Sequence, residues 1–136
     1  MRLAFSLPRD RLSVPLTRRV LDAALAVLEI TGECRHDISL AIGEACANAV
    51  EHADQGAQYQ VSVTINDDKC VIDVIDEGSG VDPAAIPVEA GPEDEAGRGL
   101  RIIRALADAV EVRRRQPRGA SLRIVKLLSR TAEALG

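Results

Sequence analysis

The segment Cys34–Ala53 constrains the fold of this chain more than any other. Its Ile38, Ile42, Ala45 and Ala49 recur at helical spacing and form one apolar stripe, while Asp37, Glu44, Asn48 and Glu51 run along the adjacent polar edge. The alanines let whatever this helix covers approach its backbone closely. Glu44 and Asn48 stand at i and i+4, neighbours on a helix surface with Cβ atoms about 5–6 Å apart. A carboxylate beside a carboxamide, bordering a buried stripe, can hold a hydrated metal ion and draw a proton from a nucleophile. Taken alone, the same pair is the ordinary solvated edge of an amphipathic helix. Its meaning depends on what else the chain brings to it.

Before this segment, Arg2–Ser6 reads as a short strand. Ser13 is placed to cap a helix whose first turn accepts Pro15, because the amide that proline lacks has no partner there. Leu16, Val20, Ala23, Ala24, Val27 and Leu28 continue that helix, and Thr31-Gly32 is expected to stop it. Beyond the segment, Tyr59–Ile65 alternates, with Val61, Val63 and Ile65 on one face and Ser62 and Thr64 on the other, which predicts a half-buried strand. Asn66-Asp67-Asp68-Lys69 supplies turn chemistry, and Cys70–Ile75 the returning strand of a hairpin. Residues 76–97 are rich in Gly, Pro and acid, as expected of a functional lid or a linker. Gly99–Ala107 then reads as a short helix, Val110–Arg114 as a strand, Gln116-Pro117-Arg118-Gly119 as a turn, Leu122–Leu128 as the last strand and Thr131–Leu135 as a helical tail. The order β-α-α-β-β-lid-α-β-β, without repeats, predicts a single domain over 1–136, with 129–136 as a short tail. Its hairpins point to an α/β two-layer sandwich with a mixed, mostly antiparallel sheet and helices on one face.

Composition narrows the function classes. A chain of 136 residues with 46% apolar content can bury an ordinary core. Phe5 and Tyr59 are the aromatics, so the core is aliphatic and the stacking platforms of single-stranded nucleic-acid binders are missing. A net charge of −4 disfavours binding to a phosphate backbone, so no nucleic-acid partner is expected. No apolar run approaches the roughly 18 residues of a membrane span. The first residues also lack the apolar core of a secretory signal, so no membrane role is expected. Cys34, Cys46 and Cys70 are odd in number and form no C-x-x-C pair, which suits a reducing cytoplasm. Cys46 and His52 lie at i and i+6, off one helix face, so a zinc site built from them with Cys34 and His36 is not expected.

Two glycine motifs carry further chemistry. Asp76-Glu77-Gly78-Ser79-Gly80 follows a strand, and a carboxylate there, next to glycines that let backbone approach a ligand, is suited to reading an exocyclic amine. It is not a dinucleotide fingerprint: Pro83 occupies the third glycine position and no helix opens there. Gly97-Arg98-Gly99-Leu100 lies between the lid and a helix, where glycine amides at the N-terminus offer an anion site. No Walker sequence occurs, which excludes a P-loop. Each motif alone also reads as an ordinary turn or helix start. Arg113, Arg114, Arg115 and Arg118 flank the last hairpin turn and read most simply as a solvated face, with docking of a partner as the alternative.

Taken in order, E-x-x-x-N-A-V-E-H-A at Glu44–Ala53, D-x-G-x-G at Asp76–Gly80 and G-x-G-L at Gly97–Leu100 resemble the GHKL ATPase superfamily. Its members include histidine-kinase catalytic domains, type II topoisomerases, a heat-shock chaperone and a mismatch-repair protein. The wording around Asn48 and the brief lid are most similar to bacterial anti-sigma-factor serine kinases, over nearly the whole chain to Leu128. The resemblance implies that Glu44 is the general base and Asn48 the Mg²⁺ ligand. It implies that Asp76 accepts a hydrogen bond from the adenine amino group, with Gly78 and Gly80 lining the base pocket. Gly97, Arg98, Gly99 and Leu100 would close over the phosphates of ATP, the glycine amides donating.

The chain departs from the family at two points. Glu95 and Ala96 stand where a lid arginine often precedes the G-x-G, which leaves Arg98 or Arg101 to supply charge to the γ-phosphate. Gly119-Ala120-Ser121 replaces a Gly-Thr ending, with Ser121 as the substitute hydroxyl. The function implied is an ATP-dependent protein serine kinase that sequesters a sigma factor and phosphorylates an anti-anti-sigma (STAS domain) protein. The homodimer usual in the family is expected with it. The alternative is a nucleotide-gated adaptor without useful kinase activity. A sensor histidine kinase is disfavoured, because no phosphoacceptor helix precedes the motifs.

Overall fold

The computed structural model describes residues 1–51, 58–76, 95–114 and 120–131. In chain order the elements are β1 (Arg2–Pro8), α1 (Ser13–Val27), α2 (Gly32–Glu51), β2 (Gln58–Ile65), β3 (Lys69–Asp76), α3 (Glu95–Leu106), β4 (Ala109–Arg114) and β5 (Ala120–Leu127). The strands form one sheet in the order β1-β2-β3-β5-β4. Every described pairing is antiparallel, so the sheet is not mixed as expected. The expected lid, the last turn and most of the expected tail lie outside the described residues.

Alternation in the strands sets the two layers. Tyr59, Val61, Val63 and Ile65 of β2 and Cys70, Ile72 and Val74 of β3 are buried, and between them stand exposed or half-buried residues such as Gln60, Ser62 and Asp73. The buried face meets Ile38, Ile42, Ala45, Cys46 and Ala49 of α2, Leu21 and Leu25 of α1 and Ile103 of α3 in one cluster. Each large aliphatic side chain taken from water there contributes about 1.5–3 kcal/mol. Helix α2 is central, with α1 on one flank and α3 on the other. The β2–β3 hairpin closes as expected: Asn66 Oδ1 accepts from the amides of Asp68 (3.3 Å) and Lys69 (3.0 Å).

The first helix differs from its sequence reading in three ways. Its buried face is Ser13, Thr17, Leu21 and Leu25, while Leu16, Val20 and Val27 are exposed. The buried stripe is therefore offset by one residue from the apolar spacing, because two hydroxyls inside it are satisfied. Ser13 Oγ is 2.6 Å from Tyr59 Oη, and Thr17 Oγ1 donates to the Ser13 carbonyl (2.7 Å). Ser13 accordingly does not cap α1; Leu12 holds that position without a side-chain bond, and Asp10 Oδ1 takes the Leu12 amide at 2.9 Å.

Thr31-Gly32 does not stop α1 either. The helix ends earlier, with the Glu29 amide on Ala26 O (3.0 Å) and the Ile30 amide on Leu25 O (3.1 Å). Leu25 and Ile30 are both buried, which gives this ending its usual apolar contact. Glu29 occupies the left-handed position at φ 63°. Thr31 instead opens α2, its Oγ1 accepting the Cys34 amide at 3.3 Å.

The three cysteines are free and buried. Burial pushes the thiols of Cys46 and Cys70 from 9.0 up to about 12, and it also raises the Tyr59 phenol.

Two expectations follow from these placements. Glu29→Gly relieves a side chain held at positive φ and should raise stability by about 0.5–1 kcal/mol, a gain of a few degrees in melting temperature; an unchanged or lower melting temperature would contradict the strain. The folded chain also keeps thiol protons that the unfolded chain releases, so stability holds below pH 9 and falls as the pH climbs toward about 12. Iodoacetamide at pH 8 should therefore label the native thiols far more slowly than those of the chain in urea. Equal labelling rates would show that the thiols are not sequestered.

Candidate functional site

A cleft opens where α2 and α3 face the ends of β3, β4 and β5. It is lined by Ala45, Asn48 and Ala49 of α2, Val74 and Asp76 of β3, Leu100 of α3, Val112 of β4, and Ala120, Ser121 and Leu122 of β5. Its empty space, solvent at the mouth included, is about 560 Å³. Apolar walls with a few polar groups set among them are typical of a small-molecule site.

Asp76 supplies the carboxylate. It ends β3, paired with Tyr59 on one side and Ala120 on the other, and is 8% exposed. Arg9 Nη2 donates to its Oδ1 in an ion pair whose side chains are 3% and 11% exposed. In so little solvent the two charges depend on each other, and removing one partner of such a pair typically costs about 3–5 kcal/mol. Sequence reasoning missed Arg9. Strand register could have found it: Leu7 pairs with Tyr59, Tyr59 pairs with Asp76, and Arg9 lies just past the end of β1.

On the other wall, Glu44 and Asn48 are half-buried on α2 and meet Gly99 of α3. A Cβ on Gly99 would lie 3.1 Å from Asn48 Nδ2, 3.2 Å from Glu44 Oε2 and 3.3 Å from Asn48 Oδ1. A side chain at Gly99 would require the polar pair to give way by a few tenths of an ångström. The structure thus brings the first and third motifs into contact and places the strand-end aspartate of the second across the cleft. Helix α3 begins at Glu95, earlier than the expected Gly99. Gly97 is consequently in the first turn, where amides lack helical partners, whereas the Gly99 amide falls within the hydrogen-bonded ladder. Gly99 therefore serves close packing here. Leu100 is buried against the cleft, Arg98 is exposed, and Ser121 lines the β5 wall. Gly78, Gly80 and His52 lie outside the described residues. Of the arginines near the last hairpin, Arg113 is exposed and pairs with Glu111 at 2.6 Å; Arg115 and Arg118 lie outside the described residues.

A carboxylate held against apolar walls can take a hydrogen bond from a planar base. A carboxylate and carboxamide beside a glycine helix can hold a cation and its anionic partner. Residues 7–126 match the histidine kinase-like ATPase domain. The chain is 36% identical over 104 residues to serine-protein kinase RsbW of Halalkalibacterium halodurans, covering 69% of this chain and 63% of that protein. It is 32% identical over 120 residues to anti-sigma F factor of Caldanaerobacter subterraneus, covering 83% of this chain and 84% of that protein. In fold it resembles the crystal structure of the RsbU and RsbW domains of Rv1364c from Mycobacterium tuberculosis, with a TM-score of 0.73 and 23% identity over 97% of this chain and 34% of that one. Matched over most of its length by the family and by a relative of similar size, the chain belongs to the histidine kinase-like ATPase domain family.

Proposed function

We propose that the chain is an ATP-dependent protein serine kinase of the anti-sigma type, which holds a sigma factor and phosphorylates an anti-anti-sigma STAS-domain protein. The observation that carries the reading is the contact of Gly99 with Glu44 and Asn48, across an apolar cleft from Asp76. Relatives named serine-protein kinase and anti-sigma F factor support the same reading.

The residues present fit Mg-ATP. Asp76 offers the acceptor for an adenine amine, and Ala45, Ala49, Val74, Leu100 and Leu122 offer flat apolar contact to the ring. Gly78 and Gly80 complete the base pocket in this reading. The space a Cβ on Gly99 would fill lies beside the Asn48 carboxamide, whose oxygen would hold Mg²⁺. Gly97 in the first turn of α3 presents an amide to phosphate, and Arg98 or Arg101 adds positive charge. Bound Mg²⁺ would neutralise charge on the transferring phosphoryl group. Glu44, one turn before Asn48, takes the proton of the incoming serine hydroxyl, a contribution of about 10²–10⁴-fold. A homodimer and a cytoplasmic location belong to this reading.

A nucleotide-gated adaptor is the second reading. It is motivated by Glu95 and Ala96 in place of a lid arginine, and by Ala120, which pairs directly with Asp76 in place of a threonine. Phosphoserine formed on a STAS partner with Mg-ATP would exclude it.

Three variants test the assignments. Glu44→Gln should bind Mg-ATP within about threefold of wild type yet lose about 10²-fold or more in phosphorylation of the partner; equal phosphorylation rates would remove Glu44 as the base. Asp76→Asn should abolish measurable ATP binding in calorimetry, and undiminished binding would overturn its role. Gly99→Ala should weaken Mg-ATP binding about tenfold or more by pushing into Asn48 and Glu44; wild-type affinity would show that α3 yields there at no cost.

A further inference from the structure

Arg9 is not part of the cleft lining, yet it grips the carboxylate at its floor. Its side chain is 3% exposed, and its Nε and Nη1 are buried with no hydrogen-bond partner among the described residues. A guanidinium held out of water with two nitrogens unmatched is unfavourable for the fold. A purely structural ion pair would satisfy more of those donors or leave them in solvent. What this one provides is control over the geometry of Asp76.

An ionised carboxylate is a fork of two acceptor oxygens. A fork matches the edge of guanine, where N1–H and the 2-amino group are parallel donors. Adenine presents one exocyclic amine beside an acceptor nitrogen. An aspartate at the floor of a base pocket is therefore ambiguous between the two purines unless one of its oxygens is taken.

We infer that Arg9 is a specificity-determining positioning residue: by holding Oδ1 of Asp76 from outside the cleft, it leaves at most Oδ2 for the base and removes the fork that guanine needs. The inference rests on the reading of Asp76 as the base-recognising group. Arg9 touches no base itself. It acts through the aspartate, and the end of β1 thereby becomes part of the selectivity of a pocket built from α2, α3 and the far side of the sheet.

The test titrates the full chain with Mg-ATP, Mg-GTP and Mg-ITP by calorimetry; ITP carries the N1–H of guanine but lacks the 2-amino group. In the wild type, ATP should bind tightest, and GTP and ITP should agree within about twofold, because the 2-amino group finds no second oxygen. In Arg9→Met, GTP should gain about tenfold over ITP, the discrimination of one added bidentate contact. Arg9→Lys, which keeps a donor on Oδ1, should hold GTP and ITP together. A residue that only supports the fold would weaken all three nucleotides in parallel and leave the GTP-to-ITP ratio alone. Wild-type GTP binding about tenfold tighter than ITP, or a folded Arg9→Met with the wild-type ratio, overturns the inference. Should Arg9→Met fail to fold by circular dichroism, the wild-type ratio decides. A wild-type chain that binds no ATP removes the nucleotide reading and this inference together. ATP binding with an unmoved ratio in Arg9→Met removes the inference alone.

Discussion

Close packing around α2 is the constraint on which the rest of the structure depends. Ala41, Ala45 and Ala49 give this helix a thin face, and Cys46 fills it without adding bulk. With small side chains at the contact, the axis can lie low on the sheet and still leave room for a helix on each side. One flank is taken by α1 through Leu21 and Leu25, the other by α3 through Gly99, Leu100 and Ile103. A larger residue at Ala45 or Ala49 would fill the cleft as well as lift the helix, since both line its wall. Packing and site are thus made by the same alanines.

The polar edge of α2 gains its character from that packing. An isolated Glu–Asn pair at i and i+4 is unremarkable on a solvated helix. Here the pair is half-buried because α3 approaches to where a Cβ on Gly99 would stand 3.1–3.3 Å from it. A carboxylate and a carboxamide in so confined a place interact with a bound charge more strongly than they would in water. The third motif is therefore what turns the first from a helix edge into one wall of a site.

The parts legible in the sequence were those fixed by simple periodicity. The apolar stripe of α2 and the alternation of Tyr59–Ile65 follow directly from residue spacing, and Asn66 marks the turn between β2 and β3. Asp76, Asn48, Leu100 and Ser121 were singled out from sequence motifs and all line one cleft. What misled was polarity inside the core. Ser13 reads as a helix cap and Thr17 falls outside the apolar spacing, yet both are buried because each hydroxyl has a partner that no local pattern reveals. The end of α1 was hidden by a glutamate in a left-handed position, where composition would favour glycine. Arg9 was invisible for a related reason: a charged residue after a strand is ordinarily solvated, and only sheet register brings it to Asp76.

Those departures from simple patterning cluster in space. Tyr59 pairs directly with Asp76 across β2 and β3, so the phenol held by Ser13 and the carboxylate held by Arg9 sit on adjacent strands. The buried thiol of Cys46 on α2 belongs to the same cluster as Tyr59. A core corner that carries a hydroxyl pair, a thiol and an ion pair is costly compared with an aliphatic one, and such corners persist where they are needed for more than packing. Here the polar contacts reach from the start of α1, through β2, to the floor of the cleft. They fix the position of Asp76 in two directions, along the sheet by strand pairing and at its carboxylate by Arg9. An aspartate pinned in this way can discriminate between ligands, because a mobile carboxylate would turn to suit each of them.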